Sequence, residues 1–323
     1  MIAATATSLW QNAKAYWNAC TRPQKLLFWS GSILFAVMIG YSLALVATGA
    51  TVSGPVSLRK VITFAESLGL FAWSIGWMLP MFRFSRRSEW IIAVLTTIFT
   101  VGETALFALQ VARGVPSHYN FSTALDGAVF SATGVGAAVA AGLIIVLLAL
   151  SGRLRDQSPS MRWSIRFGMA LTLLGMGVGI LMILNSGGIW QGFDHMLAQM
   201  QVNPIGRYAG PPEDAVGGNL VALHAIGLHG IQVVPLAAWL LGFTALPEAR
   251  RLRLTLMVAL GNTLLLAVLL VHALRQLPLS ALDPAIALLA AGSVLLALAS
   301  FAQIGWSLLA RGMDAARRPA AQA

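Results

Sequence analysis

Five histidines are the residues of this 323-residue chain best suited to bind a metal ion or to carry a proton. They are His118, His195, His224, His229 and His272. Neutral imidazole is a good ligand for haem iron and for copper. The chain has one cysteine, Cys20, which excludes an internal disulfide framework and a cysteine-based metal cluster.

The spacing of the histidines restricts how they could share a ligand. His224 and His229 are five residues apart, or about 140° around a helix, so we do not expect them to bind one ion together. A haem held between two helices takes one histidine from each. The sequence offers His224 with His272, and His229 with His118 folded back among the helices. His229 stands out because glycines flank it and leave room for a bulky planar group.

Carboxylate and amide side chains within apolar segments form a second set of candidates. They are Glu66, Glu103, Gln110, Asp126 and Gln232. Glu103 and Gln110 are seven residues apart and share a helix face, as do His229 and Gln232, three residues apart. Ionisable groups in membrane helices are costly and usually face the protein interior or a water-filled cavity. These side chains could therefore relay protons or line a polar site.

Structural roles compete with these functional ones. Asp126 follows Thr123 in a Thr-x-x-Asp pattern that is typical of a helix capping box. His272 lies close enough to the membrane surface to be solvated, and we expect His195 to be exposed on a polar segment. Residues 117–120 could form a hydrogen-bonded turn and nothing more.

Long apolar segments must position all of these side chains. Hydrophobic residues make up 58% of the chain and charged residues 10%, against about 25% charged in soluble domains. The apolar runs are continuous rather than alternating, which favours membrane helices over a β-barrel. We predict an all-α bundle whose eight spans lie near 26–48, 61–82, 89–112, 125–150, 163–186, 218–243, 254–275 and 284–310.

Three further segments complete the predicted organisation. Residues 1–25 carry Trp and Tyr on one helical face and are predicted to lie in the membrane interface, on the cytoplasmic side. Residues 26–311 form the eight-span domain, in which the long segment 187–217 is predicted to be external. Residues 312–323 are predicted to be a cytoplasmic tail.

The basic residues predict the orientation. One side of the membrane receives 16 of the 21 lysines and arginines, and this side includes both termini. By the positive-inside rule this predicts cytoplasmic termini and a bacterial inner-membrane location. The histidines then all lie outside or in the outer half of the membrane. The basic residues responsible for the net charge of +10 lie in short loops between the spans, where they signal the orientation of the protein in the membrane. We therefore expect no nucleic-acid partner.

Other patterns concern the helices themselves. Pro235 removes a backbone donor within the sixth span and predicts a kink there. Glycines in the fourth, fifth and sixth spans favour close helix contacts. The sequence shows no internal repeat at the level of motifs. It also contains no phosphate-binding glycine loop, no His-Glu-x-x-His and no Gly-x-Ser-x-Gly.

These features lead to several hypotheses. The first is a redox protein that binds haem b or a transition metal through its outer-half histidines. The second is a proton-coupled small-molecule transporter that uses the carboxylates and histidines as a relay. A non-catalytic membrane assembly protein and a membrane hydrolase are the remaining alternatives. We expect contact with the lipid bilayer and with a membrane-protein partner or a second copy of the chain.

Overall fold

A computed structural model describes residues 2–50, 52, 56–185, 220–275 and 283–317 of the chain. The predicted external segment 187–217, which contains His195, lies outside the described residues, and so does the end of the predicted tail 312–323.

Helices form every regular element of the described residues, as the all-α prediction expected. We number them α1 (Ile2–Ala19), α2 (Arg22–Thr48), α3 (Leu58–Met78), α4 (Arg86–Ala112), α5 (Ala124–Ala149), α6 (Pro159–Asn185), α7 (Leu220–Leu228), α8 (Gly230–Gly242), α9 (Glu248–Leu274) and α10 (Pro284–Arg317). Short 3-10 helices, Leu79–Phe82 and Leu150–Asp156, extend α3 and α5.

Eight helical segments within the described ranges are long and apolar enough to cross a membrane. They are Arg22–Thr48, Leu58–Phe82, Arg86–Ala112, Ala124–Asp156, Pro159–Ile183, Leu220–Gly242, Glu248–Leu274 and Pro284–Ala310. The sixth of them combines α7 and α8. The predicted number of spans is confirmed, and the chain has the architecture of a multi-pass membrane protein.

The eight segments divide into two halves of four. In the first half, α2 packs along α3, and α4 contacts α2, α3 and α5. In the second half, α6 packs along α7 and α8, and α9 contacts α6, α8 and α10. The order of contacts is therefore the same in both halves. The halves meet where α3 contacts α8 and where α5 contacts α6.

Local details repeat as well. The first helices of the halves, α2 and α6, are both 27 residues long, and α4 and α9 also have this length. Thr21 and Ser158 cap α2 and α6 through their hydroxyl groups. Ten residues later, Gly31 and Gly168 each lie against a backbone carbonyl of the next helix, where an added Cβ would come within 2.8 and 2.9 Å of the oxygen. The structure therefore reveals a repeat that the sequence does not show, because helix length and close contacts are preserved while most side chains differ.

An apolar core fills one end of the bundle, and a second apolar cluster extends through the second half from end to end. We call the end that the core fills the terminal side, where α2 begins and α10 ends, and the other end the loop side, where the loop 113–123 lies. The core consists of buried side chains in the terminal half of their helices: Leu27, Phe71, Ile75, Met78, Leu79, Phe82, Ile92, Ala93, Ile144, Leu147, Leu154, Ile165, Met169 and Ile231. The candidate site residues lie on the loop side of this core.

Candidate functional site

The loop 113–123 folds back onto the bundle and carries His118 with it. Asn120 is fully buried, donates from Nδ2 to the Pro116 carbonyl at 3.1 Å, and accepts from the backbone N–H of Ser122 at 3.1 Å. Tyr119 has a φ of 56°, in the left-handed region, and is also buried. The hydrogen-bonded turn considered from the sequence is present, and it places the histidine ring against the helices.

His118 is surrounded by aromatic rings. Its imidazole stacks on Phe107 with ring centroids 5.0 Å apart, and it lies 5.6 Å from Phe64 and 6.1 Å from Phe130. Nδ1 of the histidine is 3.1 Å from Oγ of Ser117. Burial in these apolar surroundings lowers the pKa of His118 well below its ordinary value of 6.5. The ring is therefore neutral at pH 7.

Two basic groups strengthen this effect. The ammonium group of Lys60, on the first turn of α3, and the imidazole of His224 both lie close enough to lower the pKa of His118 further. Lys60 is buried, with 8% of its surface exposed. His118 and His224 therefore lie within electrostatic range of each other, although the rings in contact with His118 all belong to the first half.

His224 has a fixed orientation. Its Nδ1 lies 2.7 Å from the carbonyl oxygen of Gly175 on α6, and a carbonyl can only accept a hydrogen bond. Nδ1 therefore carries the proton, and in the neutral ring the lone pair is on Nε2. Gly175 and Gly179 make room for this arrangement, because a Cβ on Gly179 would lie 3.1 Å from the imidazole.

The sixth span is broken at His229, between α7 and α8. Thr172 of α6 bridges the break, since its hydroxyl accepts from the Ile231 N–H at 3.2 Å and shares its hydrogen between the Leu228 carbonyl at 3.1 Å and the Gly168 carbonyl of α6 at 3.0 Å. Pro235, where the sequence predicts a kink, lies inside α8 after this break, and the kink stays a prediction. Gly227 and Gly230 lie close against α6 on both sides of His229.

Glu103 and Ser67 lie at the same depth on α4 and α3. Aromatic pairs join the two helices on either side of this level: Phe64 with Phe107 at 4.2 Å and Phe71 with Phe99 at 6.0 Å between centroids. Oγ of Ser67 is 3.5 Å from Nε2 of His229. Oε2 of Glu103 is buried and has no hydrogen-bond partner within the described part of the chain.

Five of the predicted site residues retain some accessible surface despite their depth. They are His118, His224, His229, Glu103 and Gln232. Oε1 of Gln232 is itself buried and, among the residues described, unpartnered.

Gln110 and Asp126 belong to a separate network at the loop side. Asp126 accepts hydrogen bonds from Nε2 of Gln110 at 3.0 Å and from Nη1 of Arg113 at 2.6 Å. Thr123 caps α5 through its hydroxyl, which accepts from the backbone N–H of Asp126. The predicted capping role of this segment is therefore present. The Asp126 carboxylate goes beyond it, because it joins α5 to the end of α4.

Two candidates have surroundings that differ from the expectation. Glu66 is exposed on the face of α3 that also carries Thr63, so it does not line the bundle interior. The reason is helical rotation, because Glu66 is about 100° away from its inward-facing neighbour Ser67. His272 is buried, with 1% of its surface exposed, so the solvated role considered for it is wrong.

The sequence did not point to Lys60, Ser67 or Thr172, all of which contribute to this region. Serine and threonine in membrane helices commonly bond their own backbone, as many do here, so their type carries no signal. Lys60 begins a predicted span as one of the few basic residues on the loop side. That position was the one available indication of an unusual lysine.

Any metal centre in this region would be bound by two protein ligands rather than by three or more. No group of three or more His, Cys, Asp or Glu side chains suited to a metal ion occurs among the described residues. The chain matches no protein-family model, and comparison with curated proteins and with solved structures gives no significant match. The functional argument therefore depends on the geometry of the site.

Proposed function

We propose that this protein binds haem b at the junction of its two halves, through Nε2 of His118 and Nε2 of His224, and acts as a membrane redox protein. The observation that carries the proposal is the protonated Nδ1 of His224, held by the Gly175 carbonyl at 2.7 Å. Haem-ligating and metal-ligating histidines characteristically donate Nδ1–H to a carbonyl or carboxylate, which directs Nε2 to the metal.

The state of His118 also supports the proposal. A ligand to iron must be a neutral imidazole, and burial among Phe64, Phe107 and Phe130 favours that form. The aromatic side chains provide the apolar walls that a porphyrin requires. Lys60 adds a cation near the same histidine, which suits the propionate groups of a haem.

Haem fits the described donors better than a bare transition metal. Four-coordinate protein sites need at least three side-chain ligands, whereas a porphyrin already supplies four nitrogens to its iron. The imidazoles of His118 and His224 would supply the two remaining ligands. When bound, such a group would supply one-electron transfer, and the chain would set its potential through burial and the histidine hydrogen bonds.

We also infer that the loop side faces the exterior of a bacterial inner membrane, with both termini in the cytoplasm. Support comes from the basic residues, of which 16 of 21 belong to the terminal side in the sequence-based assignment. The apolar core of the terminal half separates the histidines from that side. A redox site that exchanges electrons from the exterior needs no path through this core.

Absorption spectroscopy tests the proposal. The protein would be produced with added haem precursor, purified in mild detergent, and analysed by visible spectrum, pyridine haemochrome and iron content. We expect about one haem per chain with the sharp bands of a low-spin iron that has two imidazole ligands. The spectrum should lose this form in His118→Ala and in His224→Ala and keep it in His272→Ala.

Each outcome has a definite meaning. Loss of the low-spin form in His272→Ala, with His118→Ala unchanged, would replace His118 by His272 as the second ligand. A folded preparation that takes up no haem during synthesis or after addition of haemin would refute the redox proposal. The second candidate function would then take precedence.

That second candidate is a proton-coupled transporter. The break in the sixth span at His229 favours it, because transporters commonly bind substrates at interrupted helices near the middle of the membrane. The unpartnered carboxylate oxygen of Glu103 and the repeated halves point the same way. Proteoliposomes carrying a pH-sensitive dye would be tested for proton movement with candidate solutes. Flux that disappears in Glu103→Gln supports transport, and its absence for every solute class counts against it.

A further inference from the structure

A network of four side chains closes the loop that carries His118. Arg113 donates from Nη1 to Asp126 at 2.6 Å and also to Oε1 of Gln110. Gln110 donates to the same Asp126 oxygen at 3.0 Å, and Thr123 donates to the other carboxylate oxygen at 2.6 Å. These contacts tie the last turn of α4 to the first turn of α5, which are the two ends of the loop.

The second half contains a corresponding ion pair. Arg275 follows α9 as Arg113 follows α4, and it bonds Asp283 at the start of α10. This pair is the more exposed of the two, with 50% and 30% of the side chains accessible against 29% and 2% for Arg113 and Asp126. The Arg275–Asp283 pair can therefore serve as a control for Arg113–Asp126, because the chain that it encloses contains no candidate histidine.

The two pairs differ in the length of chain that they enclose. Arg113 and Asp126 are 13 residues apart, whereas Arg275 and Asp283 are 8 residues apart. The longer loop of the first half contains residues 117–120, including His118. A longer loop has more conformations to lose when one of its residues must meet a fixed partner, and tying its ends removes many of them.

We propose that Arg113, Gln110 and Asp126 are positioning residues that hold His118 against Phe64 of α3 and Phe107 of α4. This inference rests on the proposed haem site. The network acts through the two ends of the loop, and the turn at Asn120 transmits the constraint to the imidazole. Gln110 and Asp126 are buried, and Arg113 reaches them from a partly exposed position, so its guanidinium forms a charge-assisted hydrogen bond with a carboxylate that is shielded from water.

Asp126→Asn tests the inference, with Asp283→Asn as the matched control. The amide has nearly the same shape as the carboxylate but weakens the bond to Arg113. In haem-loaded protein we expect Asp126→Asn to convert most of the low-spin signal to a five-coordinate high-spin one, because His224 stays and His118 is lost. Asp283→Asn should keep the wild-type spectrum. Equal spectra in the two variants would overturn the inference.

A second readout does not require haem. Diethyl pyrocarbonate acylates accessible neutral imidazoles, and mass spectrometry of peptides gives the rate at each histidine. In the ligand-free protein His118 should react several-fold faster in Asp126→Asn than in the wild type, while the rate at His224 is unchanged. If the wild type holds no haem but this difference is found, the redox proposal fails and the positioning role stands.

Arg113→Lys helps to distinguish a loss of positioning from a general loss of folding in Asp126→Asn. Lysine keeps the positive charge but has a single ammonium group in place of the guanidinium fork. We expect an intermediate rate of His118 acylation and a mixture of spin states. A wild-type rate and spectrum in Arg113→Lys, together with uniform acceleration at all histidines in Asp126→Asn, would show that the network only stabilises the fold.

Discussion

The contact between α6 and α7 should tolerate no side chain at Gly175. A Cβ at this position would lie 2.5 Å from the backbone nitrogen of Leu228 and 2.7 Å from the carbonyl carbon of Gly227. Both are backbone atoms, so the helices would have to separate. Gly177, two residues along the same helix, has nothing within 4 Å of the position that a Cβ would take, and it provides the matched control.

The two substitutions are expected to change the free energy of unfolding in opposite directions. Overfilling a packed core costs about 1–3 kcal/mol, and the enforced backbone shift places Gly175→Ala at the upper end of that range. Gly177→Ala gains helix propensity of up to about 1 kcal/mol, because alanine is the better helix former. In soluble domains of 150–250 residues each kcal/mol moves Tm by about 2–4 °C. We therefore expect Gly175→Ala to melt roughly 5 °C or more below Gly177→Ala.

The thiol of Cys20 allows the melting temperatures of these variants to be measured in detergent. It is the one cysteine of the chain and is 7% exposed, and burial raises the pKa of its thiol above the ordinary value of 9.0. A fluorogenic maleimide therefore reacts slowly with the native protein and rapidly on unfolding. Equal melting temperatures for Gly175→Ala and Gly177→Ala would refute the close contact. Displacement of the Gly175 carbonyl should also weaken the low-spin spectrum assigned to His224.

Three further predictions address the site. Thr172→Val should destabilise the protein by about 1–3 kcal/mol because a buried backbone donor loses its acceptor, whereas Thr172→Ser should behave nearly as the wild type in the same thiol assay. Asp126→Asn should lower Tm more than Asp283→Asn, since the Asp126 side chain is 2% accessible and that of Asp283 is 30% accessible. Equal losses would contradict the difference in burial. Burial, with Lys60 and His224 nearby, lowers the pKa of His118 in the ligand-free protein. As the pH falls, the unfolded chain therefore takes up a proton on this histidine before the folded protein does. The contribution of His118 to the free energy of unfolding should be fully present above the ordinary pKa of 6.5 and fall below it by about 1.4 kcal/mol per pH unit. Tryptophan fluorescence melts should show a shallower pH dependence in His118→Gln.

Some features of the fold could be predicted because they depend on one property of each segment. A span is recognised from the length and polarity of a single stretch of chain, so eight were predicted, and eight helical segments of the described residues are long and apolar enough to be spans. Helix caps depend on residues three positions apart, and Thr123 caps α5 as the sequence indicates. Spacing along a helix likewise placed Glu103 and Gln110 on the same face of α4.

Other features depend on which helices become neighbours. Nothing in the spacing of His118 and His224 along the chain relates them, and they come within electrostatic range because the loop 113–123 folds back onto the helices. Spacing also could not distinguish Glu66 from Glu103. Both are carboxylates in apolar helices, and only the rotation of each helix against its neighbours exposes Glu66 and turns Glu103 inward.

The order of residues was enough to predict an eight-span helical membrane protein with its polar chemistry concentrated towards one end. These properties follow from the free energy of placing each segment in lipid, which is local. The repeat of two four-helix halves, the break at His229 and the choice of neighbours around each histidine emerged only from the folded chain. Those features follow from contacts between distant segments, in which the fit of glycines such as Gly175 and Gly227 matters more than the polarity of any one stretch.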